Sequence, residues 1–255
     1  MSDANERRHH WDSYCRFLGE TLGPSFRTRY DIWHEKYQTY AQYGVVFGGF
    51  SAERAELLQD ALTDCSPEPV SPESVAAQFE GTPLTDAVVA DVNRGTVFYR
   101  PSARAHWWMA EIADEIAEQV AAFIGSPWRI LSTRAWQLSG QSGDLGANEW
   151  HVDGLPESIA KLMIFPHAVG TEKGTTEFQF ADGQTLAIES AGPTWALFKS
   201  SELMHRGVRP SEGTTRYVAE LTIIPSPRFD LSPVFAGSNA RHPLEPWFRS
   251  ATYRY

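Results

Sequence analysis

The chain has 255 residues, is 42% hydrophobic and 21% charged, and carries a formal net charge of −10. The length admits one large domain or two small ones, and the composition is that of an ordinary soluble globular protein. The acidic balance excludes the basic surface that a nucleic-acid binder needs to neutralise phosphates, argues against docking on anionic lipid, and suits a cationic small substrate.

The first residues, MSDANERRHHWD, are polar and hold no apolar run that could act as a secretion signal. No stretch approaches the roughly 20 apolar residues of a membrane span, so a cytoplasmic protein is expected. Cys15 and Cys65 match no zinc or redox spacing. Two reduced thiols are expected, with a disulfide as the alternative. One or two short helices are expected within residues 1–40, where His9 and His10 read as solvated.

YGVVFGGF at 43–50 reads as a short strand ending at glycines. Ser51 then caps a helix over AERAELLQDALTD, whose Ala55, Leu58 and Leu62 share one face. SPEPVSPES at 66–74 is a surface loop. From Ser102 to Ile124 a single long helix is expected. Ile112, Ile116, Val120, Phe123 and Ile124 form its stripe, and Gly125-Ser126-Pro127 stops it. His106, Trp107 and Trp108 are expected to pack this helix on a sheet.

Beyond Pro127 the chain becomes a series of short segments rich in β-formers. They are ILSTRAWQL, EWHVDG, KLMIFPHAV, TTEFQFA, QTLAIES, PTWALFK, LMHRGVR and TTRYVAELTII. Eight short strands at this spacing predict a sandwich or distorted barrel, with an α-rich front packed on a β core in one domain.

EWHVDG raises the chemical question. In a strand, residues two apart point to the same face, so His151 and Asp153 project together while Trp150 and Val152 face away. A buried carboxylate needs a partner. The two side chains either bond each other or hold a metal together. His205 follows a strand-like run 54 residues later, and Arg216 opens another strand eleven residues after that. Two imidazoles and one carboxylate make the facial triad of non-haem Fe(II), which leaves coordination positions for a 2-oxo acid and O2. An arginine deeper in a barrel can clamp the far carboxylate of 2-oxoglutarate through a two-pronged charge-assisted bond.

Four stretches make the chain resemble the Fe(II)/2-oxoglutarate-dependent oxygenase superfamily, and within it the phytanoyl-CoA dioxygenase-like group. They are YGVVFGGFSAERAELLQDAL, EWHVDG, TEKGTTEFQFADG and GPTWALFKSSELMHRGVRPSEGTTRYVAELTI, and the likeness spans residues 40–225. The resemblance implies an α+β, mainly β fold: a double-stranded β-helix, cupin-like and of jelly-roll type, with N-terminal helices packed on one sheet. It divides the single domain into a helix-rich front part at 1–130, a metal-binding core at 131–225 and a tail at 226–255. It implies His151, Asp153 and His205 as iron ligands and Arg216 as the partner of the 2-oxoglutarate C5 carboxylate.

Two departures stand out. Gly207 replaces the Ser or Thr that the group often places two residues after the distal His, and Phe180-Ala181-Asp182-Gly183 replaces a Pro-Gly-Ser-His ending. A second cosubstrate contact is therefore expected elsewhere, with Thr175, Thr176 and Gln137 as candidates. Relatives that halogenate carry Gly or Ala in place of the metal carboxylate. With Asp153 present, oxygen chemistry is expected.

The implied activity is O2-dependent hydroxylation or oxidative cyclisation of a small polar biosynthetic metabolite. The acidic balance points to an amine-bearing one, such as an aminoglycoside or an amino acid derivative. A cupin-like metal enzyme without 2-oxoglutarate and a non-catalytic jelly-roll binding module are the alternatives. Among the neighbours, Lys161 reads as an edge or snorkelling lysine, with a contact to 2-oxoglutarate or the substrate as the alternative. Glu220 reads as a structural partner of Arg216, with a cationic substrate as its other use. His167 is left out of the metal set, and Trp195 is assigned to core packing. Trp247 and Tyr253 are candidates for a lid.

Overall fold

The computed structural model describes residues 44–68, 94–124, 127–141, 148–153 and 159–226, together with positions 87, 90, 91, 235 and 236. The helices expected within residues 1–40, Cys15 and the candidate lid residues Trp247 and Tyr253 lie outside these.

The front part contributes β1 (Val45–Gly49), α1 (Ala52–Thr63), β2 (Ser66–Pro67), β3 (Thr96–Arg100), α2 (Ala103–Glu115) and α3 (Ala117–Ile124). Ser51 caps α1 by accepting from the Arg54 amide, and Ser102 caps α2 in the same way from Ala105. Each such cap stabilises its helix by about 1 kcal/mol. The single helix expected over 102–124 is two. The chain breaks at Ile116, where φ is −111° and ψ is 20°, although no glycine or proline marks the place. The expected stripe survives the break, because Ile112, Ile116, Val120, Phe123 and Ile124 are all buried. Trp108 packs on the core as expected, and Trp107 does not: it is 62% exposed.

The β core contains β4 (Trp128–Ser139), β5 (Ala160–Phe165), β6 (Thr175–Gln179), β7 (Thr185–Ala187), β8 (Thr194–Phe198), β9 (Met204–Val208), β10 (Thr215–Pro225) and β11 (Phe235–Ala236). Seven of the eight expected segments are strands. EWHVDG is not one: within it only His151 makes a ladder pair. β3, in turn, is a strand that the alternation pattern did not announce.

The major sheet runs β1-β8-β5-β10-β4-β3-β2, with β11 also on β4. The minor sheet runs β7-β6-β9. All pairings are antiparallel except β11 with β4. The two sheets meet face to face, with Phe178 of β6 edge-on to Phe198 of β8 at 4.9 Å. This is the jelly-roll arrangement, mainly β, with helices on one face.

Strand alternation divides the core in two. Leu162, Ile164, Leu197, Leu221 and Ile223 face the helices, where Leu58, Met109, Ile112 and Ile124 meet them. Met163, Phe165, Ala196, Phe198 and Val218 face the minor sheet. The second face carries the polar interior. In β10 the interior positions are Arg216, Val218, Glu220 and Thr222, opposite Leu138, Trp136, Arg134 and Ser132 of β4. Thr222 and Glu220 also stand opposite Lys161 and Met163 of β5.

Candidate metal and cosubstrate site

His205 sits in β9 and points into the interior, with Phe198 edge-on at 4.9 Å. His151 pairs with it through two backbone hydrogen bonds: His151 donates to the His205 carbonyl at 3.0 Å, and His205 donates back at 2.9 Å. The rings are 4.3 Å apart between centroids. Two residues on, the Asp153 amide donates to the Ser200 carbonyl at 2.7 Å, which keeps its side chain on the same side. The ligand atoms of His151, Asp153 and His205 lie within 4.8 Å of one another. EWHVDG forms a single bridge in place of the expected strand, but the two-residue period that aims His151 and Asp153 together holds.

The imidazole edges are set for ligation. The Nδ1 of His151 is 2.7 Å from the Glu149 carbonyl, and the Nδ1 of His205 is 2.9 Å from the Leu203 carbonyl. A carbonyl accepts, so each Nδ1 carries the hydrogen and each Nε2 keeps its lone pair. This is the outer-shell bond that orients a metal-binding histidine. Burial pulls the His205 pKa down to about 3, against the pull of Asp153, so the ring is neutral. Burial alone would raise Asp153. The Lys161 ammonium, 2.5 Å away, outweighs it and holds the carboxyl ionised, well below the usual carboxylate range. A neutral His205 imidazole and an ionised Asp153 carboxylate are protonation states that a divalent cation needs.

Lys161 is neither an edge nor a snorkelling lysine. It is buried in β5, at the middle of the major sheet, and its Nζ lies 2.5 Å from Asp153 Oδ2 and 3.3 Å from Glu220 Oε2. Glu220 in turn accepts from Arg134, which stands directly opposite it in β4. The expected Glu220–Arg216 pair does not form. Both residues face the interior, but they are four positions apart along a strand, about 13 Å.

Arg216 is 1% exposed, and among the described residues no carboxylate pairs with it. Its Nη1 donates to the Thr175 carbonyl and, at 3.3 Å, to the Val208 carbonyl. Its Nε has no partner, and the Phe165 ring lies 5.6 Å below the guanidinium. Burial lowers its pKa to about 9, a measure of how costly this charge is without an anion. His167 is close by as a neutral ring: its Nε2 accepts from the Tyr217 amide at 2.7 Å, and it takes no part in the metal cluster.

The remaining candidates separate. Thr176 faces the interior beside Met163, opposite Gly207, on the ladder between Phe178–His205 and Thr175–Val208. The Thr175 hydroxyl is taken by the Ile188 carbonyl at 2.5 Å. Gln137 stands opposite Tyr217 on the helix-facing side, and its Oε1 accepts from the Tyr99 hydroxyl at 2.6 Å. The structure does not bring it to Arg216. Trp195 is core, with its Nε1 on the Gly49 carbonyl. Phe180-Ala181-Asp182-Gly183 forms the tight turn from β6 to β7, with Gly183 at φ +82°.

No family model matches the chain, and no curated protein matches it. Solved structures do. The epimerase SnoN, in complex with Fe3+, alpha ketoglutarate and nogalamycin RO, is similar at 12% identity over 76% of this chain and 84% of that one, with a TM-score of 0.52. The non-heme alpha ketoglutarate dependent carbocyclase SnoK from nogalamycin biosynthesis is similar at 14% identity over 75% and 83%, with a TM-score of 0.51. The chain shares the fold of these enzymes. At such identities the likeness carries the fold alone, and the chemistry rests on the side chains.

Those side chains fit both groups. The triad offers two imidazole nitrogens and one carboxylate oxygen within 4.8 Å of one another. Arg216 offers a buried cation with an unspent donor. Along the β6–β9 ladder, the Arg216 contacts at Thr175 and Val208 lie three residues from the Phe178–His205 pair. Three residues of strand span about 10 Å, the separation that an extended five-carbon diacid with one end at a metal requires.

Two features escaped the sequence reading. One is Lys161 as the partner of Asp153, signalled only by a lysine inside the otherwise apolar run AKLMIF. The other is Arg206, whose guanidinium lies 4.6 Å from the centre of the Trp150 ring.

Proposed function

We propose that the protein is a non-haem Fe(II)- and 2-oxoglutarate-dependent oxygenase that hydroxylates or oxidatively cyclises a small polar biosynthetic metabolite. The observation that carries this reading is Arg216, a guanidinium buried with no carboxylate partner among the described residues and about 10 Å of ladder from His205. A binding module or a metal enzyme without the cosubstrate has no use for a charge kept there at such cost.

In this reading His151 and His205 give their Nε2 atoms and Asp153 a carboxylate oxygen to Fe(II). When bound, Fe(II) and 2-oxoglutarate together supply the O2-dependent oxidation of a C–H bond. Arg216 takes the far carboxylate of the cosubstrate, and Phe165 below it keeps that end dry. His167 stays neutral beside Arg216, so it adds no second cation. The Thr176 hydroxyl, within the same interior, is the second cosubstrate contact. Lys161 holds the Asp153 side chain in place and keeps it ionised.

The substrate is small and polar in this reading, and an amine on it is supported by the acidic balance of the chain and not by Glu220. Glu220 is the interior carboxylate outside the triad, and Arg134 and Lys161 already neutralise it. Among the described residues the interior keeps no spare carboxylate for an ammonium group.

The test is an anaerobic titration of the Fe(II)-loaded chain with 2-oxoglutarate, followed by the weak visible charge-transfer band of the chelate. The band should develop in the wild type. Arg216→Ala should weaken 2-oxoglutarate roughly 10- to 100-fold, the ~1.5–3 kcal/mol of a charged hydrogen bond. Iron uptake without a band would remove 2-oxoglutarate from the reaction.

A further inference from the structure

The backbone of the minor sheet carries two rows of side chains back to back. The inner row is His151, His205 and Phe178, set by the pairing of His151 with His205 and of His205 with Phe178. The outer row is Trp150, Arg206 and Glu177, one residue along on each strand. Glu177 is the ladder partner of Arg206, and its Oε2 accepts from both Nε and Nη2, each at 2.8 Å. So held, the guanidinium lies 4.6 Å from the centre of the Trp150 ring. Cation–π attraction of this kind is strongest for tryptophan.

On the inner side, the segment 148–153 is held by the His151–His205 backbone pair, the Asp153 amide on Ser200 and the Lys161 ammonium on the Asp153 carboxylate. The side-chain period of extended chain is two, so a slip of one residue would turn Trp150 inward and His151 and Asp153 outward. Two of the three metal-binding groups would leave the site together.

We propose that Arg206, backed by Glu177, is a positioning residue for the metal centre: its grip on Trp150 outside the sheet fixes the register that turns His151 and Asp153 inside. The inference rests on the reading of His151, Asp153 and His205 as metal ligands, and it goes beyond that reading by naming what holds two of them.

The full-length chain, stripped of metal by a chelator, is titrated calorimetrically with Ni(II), with folding checked by circular dichroism. Arg206→Ala and Trp150→Leu should each weaken Ni(II) about three- to fivefold, the scale of one partly exposed cation–π contact. The double variant should be no worse than the weaker single one, because both remove one interaction. Arg206→Lys keeps a cation over the ring and should recover part of the affinity. Met204→Thr, on the same outer face but outside the row, should bind Ni(II) as the wild type does. A merely structural role would lower melting temperatures and leave the Ni(II) affinity of folded protein alone. Arg206→Ala binding within twofold of wild type overturns the inference. Should that variant fail to fold, Glu177→Gln decides: severalfold weaker binding supports it, and wild-type binding overturns it. A wild-type chain that takes up no Ni(II) overturns the metal centre and this inference together.

Discussion

His167 and Arg216 show how single residues set the conditions of the site. The imidazole accepts the Tyr217 amide through Nε2, so it must stay neutral to keep that bond, and burial pulls its pKa below the ordinary value near 6.5. In the unfolded chain the ring takes a proton below about pH 6.5. The unfolded state therefore binds more protons under that pH. The stability tied to a neutral His167 is present above it and is lost as the pH falls. Protonation would also set a second cation beside Arg216. His167→Gln should keep an acceptor for the Tyr217 amide without titrating. Melting temperatures taken between pH 7.5 and 5 should fall less steeply in this variant than in the wild type. His106 and His205, also shifted down by burial, should keep part of the slope. Parallel slopes in variant and wild type would show that His167 does not titrate in this range.

Among the elements, the start of β6 is where the backbone crowds the surroundings of Arg216. Gly174 has φ +78°, and a Cβ there would lie 2.9 Å from the Pro210 nitrogen and 3.0 Å from the Val208 carbonyl oxygen. That carbonyl is one of the acceptors of Arg216. Gly174→Ala should cost about 1 kcal/mol or more from the left-handed backbone alone. It should also weaken 2-oxoglutarate, because the end of β9 has to move. Gly183→Ala, at φ +82° with nothing within 4 Å of the added Cβ, should lose stability and leave 2-oxoglutarate affinity unchanged. Thermal melts with cosubstrate titrations separate the two outcomes. What the sequence could show of these elements followed from period. Alternation is local, so seven strands and the shared direction of His151 and Asp153 could be read from it. The break at Ile116 could not, since the stripe continues across it. Gln137 needed register: it is one residue out of phase with Leu138, the partner of Arg216, and no local pattern says which residue of β4 faces which of β10. Lys161 needed an anion brought from another part of the chain.

For the molecule as a whole, the major sheet separates two kinds of interior. The chain carries a net charge of −10, yet its polar interior sets Arg216, Lys161 and Arg134 against Asp153 and Glu220. Among the described residues this interior carries no acidic excess, and net charge is a poor guide to the sign of the substrate. Packing divides the same way. Leu221 faces the helices, and Phe165 faces the minor sheet under Arg216. Both are fully buried, so truncation should cost stability at either place, roughly 2–5 kcal/mol for Leu221→Ala and 3–5 kcal/mol for Phe165→Ala by urea unfolding. Their effects on the site should differ. Leu221→Ala leaves a gap on the helix side, and 2-oxoglutarate affinity should stay within twofold of wild type. Phe165→Ala removes the apolar floor beneath the guanidinium proposed to hold the cosubstrate carboxylate. Water entering there raises the effective dielectric and weakens that pairing, so affinity should fall about tenfold. Equal losses in the two variants would mean that the sheet passes strain from one layer to the other and is no partition.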